Sequence, residues 1–365
     1  MFERFPALFG SVIEAALAPH PVDRYLELVD PMITWSDLRA KVVEVRRPTP
    51  RAVTLVLAPT RQWTGFRAGQ YIQLSTVING VRHTRCFSPA NAESGREGRV
   101  ELTITAHDDG FVSKHLRDHA KVGDVVGLTP ATGDFVLPEQ RPRNAVFISG
   151  GSGVTPVLSM LRTLVAERHS GRMTFIHYAA TPEDVAYADE LIDLDRLHDT
   201  VTVHTIHTRE SVDGARHSGH VSDEHLTDLI PDLADAEVFV CGPAGLMDAV
   251  REFFDARGLG DRVHSEAFTA PGSFAPDPDE PVSGTLRFAS SRTEADNDGR
   301  TILEQAEAAG LTPEFGCRMG ICFSCTAPKK SGCTRNVLTG ETDTESDKHI
   351  QLCISAPVGD VEIDI

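Results

Sequence analysis

The last fifth of the chain carries a cysteine pattern that leaves few options for the fold around it. Cys317, Cys322 and Cys325 follow one another as Cys-x4-Cys-x2-Cys, and Cys353 stands alone further on. That is the spacing of a 2Fe–2S site, in which four thiolates converge on two adjacent iron atoms. Three of the four sit on one short stretch, so the backbone there must fold closely around inorganic sulfide. Gly316 and Gly320 permit this, and backbone N–H groups so placed donate to sulfur and tune the potential. Arg318 and Ser324 add charge and hydrogen bonds on the same stretch. The alternative is a four-cysteine zinc site, but zinc ribbons pair two short knuckles, and here the fourth cysteine is remote. Cys333 is surplus to the set and is expected to be a plain thiol.

The remaining composition narrows the setting. The chain has 365 residues, 41% hydrophobic and 24% charged, ordinary for a globular protein with two or three domains. Seven cysteines without a secretory signal indicate metal or redox chemistry rather than a disulfide framework. No apolar run approaches the roughly 20 residues that span a bilayer, so a cytoplasmic protein is expected. A formal charge of −18 argues against nucleic acid or anionic lipid as a partner. It serves solubility, or a basic face on a protein partner.

The texture changes along the chain. Residues 1–36 form an N-terminal extension in which Phe2, Phe5, Phe9, Val12, Ile13 and Ala16 recur at helical spacing. Such a stripe packs on its own domain or docks in an apolar groove of a partner. Over 37–140, short β-type runs (Ala52–Leu57, Tyr71–Leu74, Val100–Thr105) and an Asn79–Gly80 hairpin signal predict a small antiparallel β-barrel or sandwich, the barrel being the expected fold. Over 141–270, strand-like and helix-like runs alternate, which predicts an α/β domain with a parallel sheet. Residues 271–283 are rich in proline and acid and read as a linker. Residues 284–365 leave room for a compact cluster domain.

The segments EFGCRMGICFSC and QLCISAPVGDVEIDI resemble the C-terminal ferredoxin modules fused to flavoproteins of the ferredoxin–NADP reductase type. The resemblance covers about residues 38–365. It implies a β-grasp fold for the last module, with Cys317, Cys322, Cys325 and Cys353 as ligands of one cluster. In the barrel, Arg85-Cys86-Phe87-Ser88 is similar to the family's Arg-x-Tyr-Ser flavin motif. By that likeness Phe87 stacks on the isoalloxazine, Ser88 lies near its N5, and the Arg85 fork suits the pyrophosphate. Phenylalanine in place of tyrosine keeps the stacking and loses a hydroxyl contact to the flavin ribose. Gly110-Phe111-Val112-Ser113 resembles the turn that meets the pyrophosphate at a helix start, with Gly110, Val112 and Ser113 matching the FAD-type pattern rather than the FMN-type one.

The run Val146–Ser149 leads into Gly150-Gly151-Ser152-Gly153-Val154-Thr155-Pro156 and then a helical stretch. Strand, glycine turn, helix places a pyrophosphate on a helix N-terminus, with Thr155 as expected N-cap and Pro156 at the first helical position. A structural glycine turn is the plainer reading. Cys241-Gly242-Pro243 resembles the family's Cys-Gly-Pro, which lies against nicotinamide and flavin; alone, Cys241 reads as a core thiol. Glu266 and Phe268 match the family's closing Glu-x-Phe beside the flavin. Thr208-Arg209-Glu210 resembles the Ser-Arg-Glu that holds the 2′-phosphate of NADPH, although His177–Ala180 lacks an arginine found in many of those relatives. NADPH is therefore preferred to NADH.

The resemblance implies an electron-transfer flavoenzyme in which NAD(P)H, FAD and the cluster act in that order, with Ser88, Cys241 and Glu266 shaping the hydride step. The module order is similar to that of oxygenase reductases. Tyr25–Pro31 and the Glu304–Cys325 segment are similar to the reductases of membrane acyl-CoA desaturases. The partner expected on that ground is a membrane desaturase, met by peripheral docking. A Rieske oxygenase or cytochrome P450 is the alternative, and a redox-sensing flavoprotein is a reading of another class.

Overall fold

The computed structural model describes residues 22–94, 98–107, 110–210, 216–267, 282–315, 320 and 323–365. The apolar stripe of residues 2–16 and most of the linker lie outside them. A short helix α1 (Val22–Leu26) precedes the barrel. Asp23 is buried and accepts from the backbone N–H groups of Ser36 and Asp37, both at 2.9 Å, and from that of Trp35. Burial alone would raise its carboxyl, but these donors and the Ser36 hydroxyl hold it below the usual range. The helix is thus stapled to residues 35–37, the segment that leads into the barrel's first strand.

The barrel strands are β1 (Arg39–Thr49), β2 (Ala52–Pro59), β3 (Ile72–Ile78), β4 (Val81–Phe87), β5 (Val100–Thr105) and β6 (Val125–Leu128), with helix α2 (Phe111–His119) between the last two. Their order is β4-β3-β6-β1-β2-β5, antiparallel throughout. Asn79 (φ 52°) and Gly80 (φ 81°) turn β3 into β4, as the Asn-Gly signal predicts. Leu55, Leu57, Trp63, Ile72 and Leu74 fill the interior, with Val112 and Leu116 of α2 closing it.

The second module is a parallel sheet of β7 (Asn144–Gly150), β8 (Arg172–Ala179), β9 (Val201–His207), β10 (Glu237–Cys241) and β11 (Val263–Glu266), in the order β11-β10-β7-β8-β9. Its helices are α3 (Val154–Ala166), α4 (Ala188–Leu197), α5 (Asp223–Leu229) and α6 (Ala244–Asp255). Alternation along β7 divides the core. Ala145 and Phe147 pack with α3 and α4, while Val146 and Ile148 pack with α5 and α6. Every residue of β7 is buried, as expected of a central strand covered on both faces.

The third module has β12 (Thr285–Phe288), β13 (Thr293–Asp296), α7 (Ile302–Ala308), β14 (Thr326–Asn336), β15 (Thr342–Asp343), β16 (Lys348–Gln351) and β17 (Ser355–Ile363). Strand order is β13-β12-β17-β14-β15, with β16 also on β14 and β12 parallel to β17. Thr301 and Glu304 form a capping box at the start of α7, which packs Ile302, Leu303 and Ala306 on the sheet.

The first two modules are joined through one polar face of α3. Ser159 Oγ donates to Asn91 O at 2.6 Å, Thr163 Oγ1 accepts from Glu93 N at 2.9 Å, and Arg162 donates to Ala90 O at 2.7 Å and Glu101 Oε1 at 2.8 Å. Residues 159, 162 and 163 share a helix face by their spacing. The opposite end of Arg162 grips Glu190 of α4.

Candidate flavin, nicotinamide and cluster sites

The flavin motif lies at the carboxyl end of β4. Phe87 has one side against the barrel core, and Ser88 is 2% exposed. The Ser88 hydroxyl is buried and without a hydrogen-bond partner, as is Oε2 of Glu266 at the end of β11. Such orphaned atoms are rare in a folded interior and ask for a missing partner. Glu266 is brought up to the barrel: a Cβ placed on Gly133 would stand 3.2 Å from the Tyr71 ring and 3.8 Å from Glu266 Oε1. Burial pushes the Glu266 carboxyl up to about 8, so it holds a proton at neutral pH.

Cys241 is fully buried, paired in register with Glu266 on one side and Ser149 on the other. Burial, and secondarily the charge of Glu266, hold its thiol well above the usual range. Cys241 is thus no thiolate nucleophile; it is a neutral, polarisable wall at the carboxyl end of the sheet. Gly110 caps α2 without a side-chain bond, and a Cβ there would lie 2.2 Å from Ser113 Oγ. The first-turn N–H groups of α2 have no intrahelical acceptor, which suits an anion. The Val112 side chain is committed to the barrel core, so only its backbone is available to a ligand. Phe268 lies outside the described residues.

At the nucleotide site, Gly150 ends β7 and Gly151 (φ 53°) through Gly153 form a 3-10 turn that runs straight into α3. Thr155 is not the N-cap expected from the sequence. The helix begins at Val154, so Thr155 is inside its first turn and its hydroxyl donates to Ser152 O at 3.3 Å. Pro156 stands two positions later than expected, where its missing N–H still costs nothing. The glycine turn sits against Cys241-Gly242-Pro243: a Cβ on Gly153 would lie 2.2 Å from Cys241 O, and one on Gly242 2.9 Å from Gly150 N. Pro243 is the N-cap of α6. Thr208 and Arg209 follow β9 and are tied back by N–H donation to Ala179 O at 2.8 Å and Ala180 O at 3.0 Å. The Arg209 side chain is exposed there. These residues all lie at the carboxyl ends of parallel strands, where open α/β sheets bind ligands.

Of the four cysteines expected to hold the cluster, Cys317 and Cys322 lie outside the described residues. Cys325 and Cys353 are 3% and 5% exposed. Thr326 pairs with Gln351, and Leu352 N donates to Cys325 O at 3.1 Å, so the remote cysteine is delivered beside its partner by the β14–β16 register. Gln351 Nε2 donates to Gly320 O at 2.6 Å, and Gly320 (φ 77°) stands where a Cβ would lie 2.7 Å from Ile354. Nothing in the sequence points to Gln351; strand register brings it to this contact. Cys333 pairs with Val358 within β14–β17, away from this corner. Phe323, beside the ligands in sequence, has φ 55° and is 66% exposed.

Three family models match in series: an oxidoreductase FAD-binding domain over residues 44–137, an oxidoreductase NAD-binding domain over 147–252, and a 2Fe–2S iron–sulfur cluster binding domain over 288–358. An NADPH oxidoreductase of Mycobacterium tuberculosis is 34% identical over 351 residues, 94% of this chain and 88% of its own length. The chain belongs to the family of flavin- and 2Fe–2S-dependent NAD(P)H oxidoreductases. The reductase component of propane 2-monooxygenase from Rhodococcus jostii is 35% identical over 64% of each chain. The solved structure of phthalate dioxygenase reductase covers 90% of this chain at 25% identity and a TM-score of 0.61.

The cofactors of this oxidoreductase are FAD, NAD(P)H and a 2Fe–2S cluster. The residues present fit the flavin in their chemistry: Ser88 Oγ beside Phe87 and Glu266 Oε2 at the end of β11 are buried polar atoms without a partner, the kind a ring with hydrogen-bonding nitrogens and carbonyls would satisfy. Among the described residues no helix is long and apolar enough to cross a membrane.

Proposed function

We propose that this oxidoreductase is the reductase component of an oxygen-activating system, with NADPH as donor and a separate protein as acceptor. FAD, when bound, supplies the change from a hydride to single electrons that the cluster accepts one at a time. The chain's own residues then have defined tasks. Arg85 and the first turn of α2 hold the flavin's phosphates, and Phe87 covers its ring. Ser88 and the protonated Glu266 donate to the ring's polar edge, each satisfying an otherwise orphaned atom. Cys241 and the glycine turn fix the nicotinamide against it and keep water out. Cys317, Cys322, Cys325 and Cys353 hold the cluster.

The observation that carries this reading is the pair of buried, partnerless atoms, Ser88 Oγ and Glu266 Oε2, on two different modules. NADPH is favoured by Arg209, exposed after β9, and by the NADPH oxidoreductase that is similar over 94% of the chain. The relatives named as the reductase component of propane 2-monooxygenase and as phthalate dioxygenase reductase support an oxygenase as acceptor. The narrower reading, a membrane acyl-CoA desaturase, rests on the resemblance of Tyr25–Pro31 and Glu304–Cys325. Anaerobic titration of the purified protein with NADPH and with NADH, followed by visible and EPR spectra, tests the donor and the order of reduction. Arg209→Ala is expected to weaken NADPH by roughly 10- to 150-fold and leave NADH unchanged. Equal effects on both nucleotides refute the 2′-phosphate assignment. Supplying reduced protein to a Rieske oxygenase or to desaturase-containing membranes separates the acceptors.

A further inference from the structure

The third module must meet the first for electrons to pass, and one described contact shows where. Phe315 precedes the Gly316–Cys317 segment by position, and Arg85 opens the flavin motif on the other module. The Arg85 guanidinium carbon lies 5.2 Å from the Phe315 ring centroid. Of the cation–π contacts among the described residues, this is the one that crosses modules; the other two join Arg162 to Tyr187 and Arg257 to Phe253. We propose that Phe315 is a positioning residue that docks the iron–sulfur module on Arg85 and so holds the cluster ligands next to the flavin.

Both partners are held for this task. Phe315 is packed against the core of its own module, so its ring is a rigid extension of that core. Arg85 Nη1 donates to Thr84 O at 2.7 Å, which fixes the plane of the guanidinium. A guanidinium stacks through its face and donates through its edges. Arg85 can therefore hold a flavin phosphate and carry Phe315 together, and docking does not compete with cofactor binding. Three residues beyond Cys317, the first expected ligand, the chain is pinned again, at Gly320 by Gln351. Between Phe315 and Gly320 only four residues intervene, so displacing the ring displaces the stretch that bears Cys317.

The proposal rests on Arg85 being a flavin residue, and the test separates the two. In the full-length holoprotein, Phe315→Leu removes the ring and keeps an apolar core contact. Anaerobic stopped-flow with NADPH is expected to show unchanged flavin reduction and slower cluster reduction, by roughly 5- to 30-fold if one cation–π contact maintains the docked population. Small-angle scattering of the oxidised protein without nucleotide is expected to show a larger radius of gyration. Phe315→Tyr restores both. Unchanged cluster reduction and unchanged scattering, at full flavin and cluster content, overturn the docking role. Arg85→Lys provides the second arm, since it keeps charge and loses the planar face. If it slows cluster reduction at full flavin content, docking through the planar face stands, and Arg85→Met, which also removes the charge, then reads the flavin assignment separately through flavin content. If Arg85→Lys loses flavin while Phe315→Leu changes nothing, the flavin assignment stands and docking falls.

Discussion

Gly153→Ala isolates a contact on which the hydride geometry depends in the function proposed above. Gly153 has φ −65° and ψ −3°, a conformation alanine adopts freely, so backbone strain plays no part. The obstacle is steric. A Cβ there would meet Cys241 O at 2.2 Å, Cys241 C at 2.5 Å and Gly242 N at 2.8 Å. The first of these is at least ~1 Å short of an ordinary contact, and no flexible side chain is present to yield. The turn and the Cys241-Gly242-Pro243 segment must therefore separate by about that distance, at a cost of about 1–3 kcal/mol for an overpacked core. A misplacement of ~1 Å at a reacting centre costs on the order of 100-fold in rate. Anaerobic stopped-flow at the flavin band is expected to show NADPH-dependent reduction slowed by that order, with flavin content retained because the barrel is untouched. Thermal unfolding in parallel is expected to show a modest loss. A variant that reduces its flavin at the parental rate would show that the turn and the Cys241 segment need not touch.

Two predictions concern stability. Arg162→Met removes the cation between Glu101 and Glu190. Burial alone would raise Glu101, and Arg162 and Arg46 hold it below the usual carboxylate range. With Arg162 gone, a loss on the order of 3–5 kcal/mol is expected in urea unfolding, together with slower hydride transfer as the modules loosen; a change under 1 kcal/mol would count against the clamp. Burial, and secondarily His207, push His177 from 6.5 to about 4. Its folded value lies below its unfolded one, so its contribution is complete above pH 6.5 and is lost as pH falls from 6.5 towards 4, roughly 3 kcal/mol in all. Unfolding free energies at pH 7.5 and 5 capture about 2 kcal/mol of this, the part between 6.5 and 5, and His177→Gln should flatten that part of the profile. An unaltered slope in the variant would assign the acid sensitivity elsewhere.

Much of the site is local in sequence, and local patterns are readable. The Asn79–Gly80 turn, the strand ending at Ser149 and the glycine turn after it are fixed by neighbours a few residues apart, because turn chemistry and strand alternation are short-range. The cysteine spacing likewise restricts the last module, since thiolates on one stretch can reach only adjacent irons. The start of α3 differs from the expected one because a 3-10 turn runs into the helix without a side-chain cap, and capping rules are silent on such a start. What the sequence alone determined was three modules, their order and the chemistry each carries. The tertiary structure decided which atoms meet across them: Glu266 against the Tyr71–Gly133 corner, Gly153 on Cys241, Arg162 between Glu101 and Glu190, and Phe315 on Arg85. Each of these joins residues far apart in the chain or on different modules, and only the packing of completed cores brings them together.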